Sequence, residues 1–194
     1  VIILTAIFTS IFGGVNTLWD RRYGFMNKAL TSPISRSAIA IGKMSAISLI
    51  AALQASLIIG IALAIGVTFP NPLMIIPIMG IVILFSLGFS GISVTLAATA
   101  KSQETFWGMI NLLGMPLFML SPALFPLELL PSWLAVIAKL NPVTYTILLV
   151  RELMTGVSEG GVPILLSIGV IFAFVIAMVA IASYVFTREV NKPF

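Results

Sequence analysis

Five stretches of this 194-residue chain run without a single Asp, Glu, Lys or Arg: Val1 to Leu18, Met44 to Val67, Leu73 to Ala100, Phe106 to Phe125 and Val162 to Phe186. A hydrocarbon layer of ~30 Å takes about 20 helical residues, so each stretch is a candidate membrane span. A soluble core does not explain them, because 60% of the residues are hydrophobic, only 8% are charged and the mean hydropathy is +1.19. The runs are continuously apolar instead of alternating, which favours helices that satisfy their own backbone hydrogen bonds over a barrel. The expected fold is an all-α, polytopic membrane helical bundle with no room for a separate soluble domain.

The distribution of the basic residues sets the orientation. Arg21, Arg22, Lys28, Arg36 and Lys43 lie between the first two runs, Lys101 in the third loop, and Arg188 and Lys192 in the tail, against Lys139 and Arg151 in the opposite set. Cationic loops stay in the cytoplasm, so 19–43, the loop at Lys101 and the tail at 187–194 are expected inside. This distribution also explains the net charge of +4 by topology, without nucleic acid as a partner. Residue 1 is a valine at the start of a span with no basic n-region or cleavage site, so it does not read as a signal peptide. The chain is expected to lack its natural beginning, as five spans of a six-span parent.

The region 126–161 needs its own decision. Its apolar runs, "LLPSWLAVIA" and "VTYTILLV", are short and are interrupted by Pro131, Lys139 and Asn141-Pro142. Threading it would bury Lys139, at about 2.5–3.5 kcal/mol on insertion scales, and place a proline mid-span. Two interfacial or re-entrant helices fit better. Trp133, Ile137 and Leu140 share a face of the first; Asn141 as N-cap and Pro142 at the first helical position start the second, which Gly156 ends.

The chemistry available at membrane depth is sparse. Histidine and cysteine are absent, and every Asp, Glu, Lys and Arg lies outside the five runs, which argues against a proton- or ion-coupled carrier and against an intramembrane protease. Asn16, Gln54, Asn111 and scattered hydroxyls read first as hydrogen bonds between helices, and Gly60/Ala64 and Gly91/Thr95 as close approaches. Gly114, Pro116 and Pro122 are expected to bend the fourth span. If the protein moves a solute uphill, the energy enters from outside the bilayer.

The stretch "DRRYGFMNKALTSPISR", Asp20 to Arg36, is where such energy would enter. On a helical wheel Trp19, Tyr23, Met26 and Leu30 form one stripe, suited to the membrane interface, and Arg21, Phe25 and Lys28 lie opposite. The second face presents an aromatic knob between two cations, as a helix docking into a protein groove does. An ordinary basic loop that fixes orientation and attracts anionic lipid fits the same residues. Ser32 as N-cap and Pro33 at the first helical position are expected to start the next helix.

These residues also carry a family resemblance. "RRYGFMNKALTSPISR" resembles the cytoplasmic segment of type-2 ATP-binding-cassette (ABC-2 type) exporter permeases, a family of multidrug, lipid and polysaccharide exporters. "NPVTYTILLVRELMTG", Asn141 to Gly156, is similar to that family's element before the last span. The two stand in the family's order, with its number of spans between them. The resemblance implies that Asp20 to Leu30 is a coupling helix whose Arg21, Arg22, Gly24, Phe25, Lys28 and Leu30 contact a separate ATPase subunit. It implies that Asn141, Pro142, Thr144, Tyr145 and Arg151 belong to extracellular re-entrant helices capping the pathway. Two departures stand out: Asn27 and Leu148 occupy positions where the family often carries an acid. The implied partners are the nucleotide-binding ATPase, a second permease subunit forming a homo- or heterodimer, and membrane lipids, in the cell membrane of a prokaryote.

By the same resemblance this chain holds no cofactor, ATP and Mg being bound by the partner; the chain itself has no GxxxxGK[ST] phosphate loop. The expected function is that of a non-enzymatic permease subunit for an amphiphilic or lipid-like substrate. A secondary carrier or channel, and a non-transporting membrane anchor for a cytoplasmic partner, remain as alternatives.

Overall fold

The structure is a computed structural model that describes residues 1–26, 31, 33–67, 71–123, 131–157 and 161–189. The helices whose whole extent falls in these residues are α1 (Ile2–Gly13), α2 (Val15–Arg22), α3 (Arg36–Ala64), α4 (Ile75–Thr99), α5 (Gln103–Met119), α6 (Ser132–Leu140), α7 (Pro142–Thr155) and α8 (Ile164–Glu189), with a 3-10 turn at Pro72–Met74. No strand occurs among the described residues. The chain is an all-α, polytopic helical bundle, as the apolar runs require.

Among the described residues, four segments are long and apolar enough to cross a membrane: Ile2–Arg22, Arg36–Ala64, Pro72–Thr99 and Ile164–Glu189. The first is α1 and α2 together, since Gly14 between them keeps helical angles (φ −64°, ψ −19°). One expectation shifts. The run Phe106 to Phe125 yields α5, which starts earlier and ends at Met119 after 17 residues, about 25 Å of helix at 1.5 Å per residue. It stops where Ser121 folds its hydroxyl back onto the Phe118 carbonyl (2.6 Å), just before Pro122. The pair α6–α7 bends by 88° at Asn141, as a broken span or a re-entrant element would.

α4 is the hub. It packs against α1, α2, α3, α5, α7 and α8, and Ile78, Val82, Phe85, Phe89 and Val94 on it are all fully buried. The turn before it is set by Asn71, whose side chain accepts from the Leu73 N–H (3.0 Å) ahead of a helix-starting proline. Between helices in lipid there is little hydrophobic driving force, so small residues and hydroxyl-to-backbone hydrogen bonds must supply the contact. A Cβ added at Gly91 would meet Met44 and Met178 at 3.0–3.1 Å, and one at Gly88 would meet Phe174 at 3.0 Å. Gly91 therefore makes the close approach expected of it; Gly60 does not, having nothing within 4 Å.

The tightest seam joins α1–α2 to α4. The Ser93 hydroxyl donates to the Ile11 carbonyl and accepts from the Gly14 N–H (2.9 Å). A Cβ at Gly14 would lie 2.1 Å from that hydroxyl and 2.6 Å from the Ser93 carbonyl. Gln54 on α3 bonds Thr9 on α1, and the Ser48 hydroxyl donates to the Ile83 carbonyl of α4 (2.7 Å). These are the interhelical roles expected of the intramembrane polar groups. Asn16 and Asn111 instead face outward. Gly114 gives α5 its contact with α1: a Cβ there would fall 2.2 Å from Ile11 Cδ1.

The seam generates an ordered prediction. Gly14→Ala should destabilise by about 1–3 kcal/mol through overpacking against rigid backbone, and Ser93→Ala by about 0.5–1.5 kcal/mol through one lost bridge. Gly60→Ala should change nothing measurable. Thermal unfolding in detergent with a thiol-free readout such as intrinsic tryptophan fluorescence checks the order; a Gly14→Ala variant as stable as Gly60→Ala contradicts it.

Candidate functional site

Helix α2 ends one turn before the residues expected to continue it. Tyr23 leaves the helical region (φ −92°, ψ 7°) and Gly24 takes the left-handed conformation at φ +76°, which glycine adopts without the Cβ penalty and which commonly closes a helix. Phe25 and Met26 are helical again, while Asn27, Lys28, Ala29, Leu30 and Ser32 lie outside the described residues. One wheel therefore does not span Trp19 to Leu30, and the expected interfacial stripe dissolves. Tyr23 is 69% exposed, but Met26 is 3% exposed and packs with Ala40, Met44, Val94, Ala98 and Phe186.

The break turns Phe25, 61% exposed, outward at the tip, with Arg22 also exposed beside it. Arg21 points inward instead, is half-buried, and donates from Nη1 to the carbonyls of Ala97 (3.0 Å) and Ala98 (2.6 Å) at the end of α4. Lys28 and Leu30, expected as contacts, lie outside the described residues. The cap of the next helix is corrected too. Ser35, not Ser32, caps α3: its side chain accepts from the Ala38 N–H (3.3 Å) and the helix starts at Arg36, leaving Pro33 in the bend before it. Ser35 has the extended backbone (φ −65°, ψ 144°) of an N-cap.

Two further ties hold this end. Asp20 on α2 forms an ion pair with Lys43 on α3, and Arg36 donates to the Thr187 carbonyl of α8 (3.5 Å). Beside the tip lies a polar cleft of about 360 Å³ lined by Leu18, Trp19, Arg22, Lys101, Ser102 and Glu104. Ser102 caps α5, accepting from the Thr105 N–H (3.2 Å). Hydrogen bonds from the Glu104 N–H and from Ser102, with Arg22 nearby, hold the Glu104 carboxyl below its usual range. Sequence reasoning passed over this cleft; its trace was the short charged loop "KSQE" between two apolar runs.

At the other end the second motif forms as expected. Asn141 caps α7 by accepting from the Val143 N–H (3.0 Å), Pro142 takes the first helical turn, and Gly156 closes the helix at φ +72°. Asn141 also donates to the Leu117 carbonyl near the end of α5 (2.6 Å). Thr144 donates to the Ala138 carbonyl (2.6 Å) and Tyr145 to the Lys139 carbonyl (2.8 Å), which together fix the α6–α7 corner. Arg151 is half-buried and donates to the Pro122 carbonyl (3.0 Å). Leu148 is buried in the bundle, where an ionised acid would be costly. Trp133, Ile137 and Leu140 form the exposed apolar face expected of α6.

Comparison with known proteins accords with this architecture. Residues 1–155 match the family model described as ABC-2 type transporter. The chain is 32% identical over 152 residues to the transport permease ycf38 of Cyanophora paradoxa, covering 76% of this chain and 52% of that protein. Its likeness to ycf38 of Pyropia yezoensis is 32% over 159 residues, 78% of this chain and 54% of that protein. To the multidrug ABC transporter permease YbhR of Escherichia coli K12 it is 23% identical over 143 residues, 73% of this chain and 38% of that protein. The chain thus spans about half the length of the ycf38 relatives, and less of YbhR. With 155 of its residues matched by that family model and a helical bundle to go with it, the chain belongs to the ABC-2 type transporter family.

Proposed function

We propose that this chain is the membrane-spanning subunit of an exporter driven by ATP hydrolysis in a separate nucleotide-binding protein, with the turn at Arg22–Phe25 as the docking point. The observation that carries this reading is an exposed aromatic side chain on a glycine-broken turn, flanked by an exposed arginine, at the end of a helix locked into the hub of the bundle. A lipid-facing basic loop needs no such fixed geometry. In this reading the turn, the Lys101 loop and the C-terminal end of α8 face the cytoplasm, and α5 counts among the spans.

The transport path follows from which helix the docking turn drives. The turn is continuous with α2 and α1, so a push on it moves α1 against α5. Between those two helices the Phe8, Phe12, Trp107 and Phe118 rings pack at centroid distances of 5.4–5.8 Å, with Asn111 and Gly114 beside them. A wall of aromatic rings with one amide suits an amphiphilic or lipid-like cargo, and a second permease subunit would complete the path as a homo- or heterodimer. On the outer side, α6 and α7 would form the cap, tied to α5 through Asn141. ATP and Mg would be held by the partner, and the setting would be the cell membrane of a prokaryote.

Two outcomes are expected of the full-length permease with its ATPase. Phe25→Asp should leave insertion and folding intact but weaken ATPase association and abolish export; unchanged export and substrate-stimulated hydrolysis would overturn the docking role. Asn141→Ala removes a cap of about 1 kcal/mol and the tie to Leu117. It should raise amide exchange across 131–157 and reduce export with ATPase association unchanged, as read by hydrogen exchange and by a vesicle export assay.

A further inference from the structure

Adjacent arginines at the end of α2 have different fates. Arg22 is exposed and Arg21 is half-buried, with two hydrogen bonds from one guanidinium nitrogen into the last turn of α4. We propose that Arg21 is a positioning residue instead of an ATPase contact: it latches the docking turn to the carbonyl end of α4, an inference that rests on the docking reading above.

Three observations support the latch. The carbonyls of Ala97 and Ala98 lie in the final turn of α4, which ends at Thr99, where helix carbonyls lack an intrahelical donor and the macrodipole is negative. A guanidinium answers both conditions, with several donors in a fixed fork and a permanent charge. Glu189, at the last position of α8, acts electrostatically on the same guanidinium. Arg21 thereby joins the end of α2 to the end of α4, while Asp20–Lys43 ties α2 to α3 and Arg36 ties α3 to α8. A motor closing on Phe25 and Arg22 would then move these helices together. Without Arg21 the end of α2 that carries the turn would lose its tie to the last turn of α4.

The test uses full-length permease in nanodiscs, with and without its ATPase, carrying Arg21→Gln, Arg21→Lys or Arg22→Gln. The 194 residues contain no cysteine, so Tyr23→Cys and Ala180→Cys, with any cysteine elsewhere in the full-length permease removed, take spin labels at two exposed positions. Arg21→Gln should broaden the label-to-label distance distribution in the permease alone. It should also lower export per ATP hydrolysed by about tenfold, the worth of a hydrogen bond to a charged group, and leave ATPase affinity near the unaltered value. Arg21→Lys should restore much of both, whereas Arg22→Gln should keep the narrow distribution and lose affinity. An unchanged distribution in Arg21→Gln overturns the latch, as does a loss of ATPase affinity equal to that of Arg22→Gln. Should Arg21→Gln fail to insert, Arg21→Lys must still broaden the distribution partway, and a distribution matching the unaltered protein then rejects the latch. If no ATPase drives export by the unaltered protein, the docking reading fails while the distance measurement still decides the latch.

Discussion

In a bilayer, helices gain little from burying apolar surface against one another, so a specific seam needs close backbone approach or a hydrogen bond that lipid cannot replace. The Ser93 hydroxyl supplies both between α4 and the α1–α2 segment, reaching the Ile11 carbonyl and the Gly14 N–H while the missing Cβ of Gly14 lets the helices touch. The seam fixes the rotation and height of α2 relative to the hub. The position of the exposed turn at Tyr23–Phe25 therefore follows from packing inside the membrane, not from the turn itself.

Charge completes this rigidity at the same end. Asp20, Arg21, Arg36 and Lys43 use their charges on neighbouring helices or helix ends, and Arg22 and Lys101 line the polar cleft beside the turn. Exposed ion pairs are each worth little, ~0–1 kcal/mol. Their value here lies in direction, since they connect α2 to α3, to α4 and, through α3, to α8. The basic cluster thus braces the helices it sits on.

The fold was legible in the sequence because the bilayer allows so few solutions: long uncharged runs had to be helices, and the Asn141-Pro142 and Gly156 signals carried their meaning locally. What stayed hidden depended on tertiary context. The wheel through Trp19 to Leu30 assumed an unbroken helix, and only the left-handed backbone at Gly24 shows that it is broken. Ser32-Pro33 reads as a better helix start than Ser35, yet the bend needed to bring Arg36 to the Thr187 carbonyl moves the start downstream. Arg21 and Arg22 look alike in sequence; which one meets the end of α4 is decided by the Ser93 seam. The role of Ser93 had no sequence signal, being one small hydroxyl among several in α4.

α5 connects the two ends of this machinery. Its start at Ser102 and Gln103 borders the cleft beside Trp19 and Arg22, and near its finish the Leu117 carbonyl holds Asn141 at the α6–α7 corner. A single helix of 17 residues thus meets the end of α2 at its start and the α6–α7 corner near its finish. Since α5 packs on α1, α2 and α4, and Gly114 brings it against Ile11, a displacement of α1 would either carry α5 with it, and the α6–α7 corner through Asn141, or open the aromatic seam of Phe8, Phe12, Trp107 and Phe118 between them. If the turn at Arg22–Phe25 docks a motor as proposed, one mechanical input there would reach both.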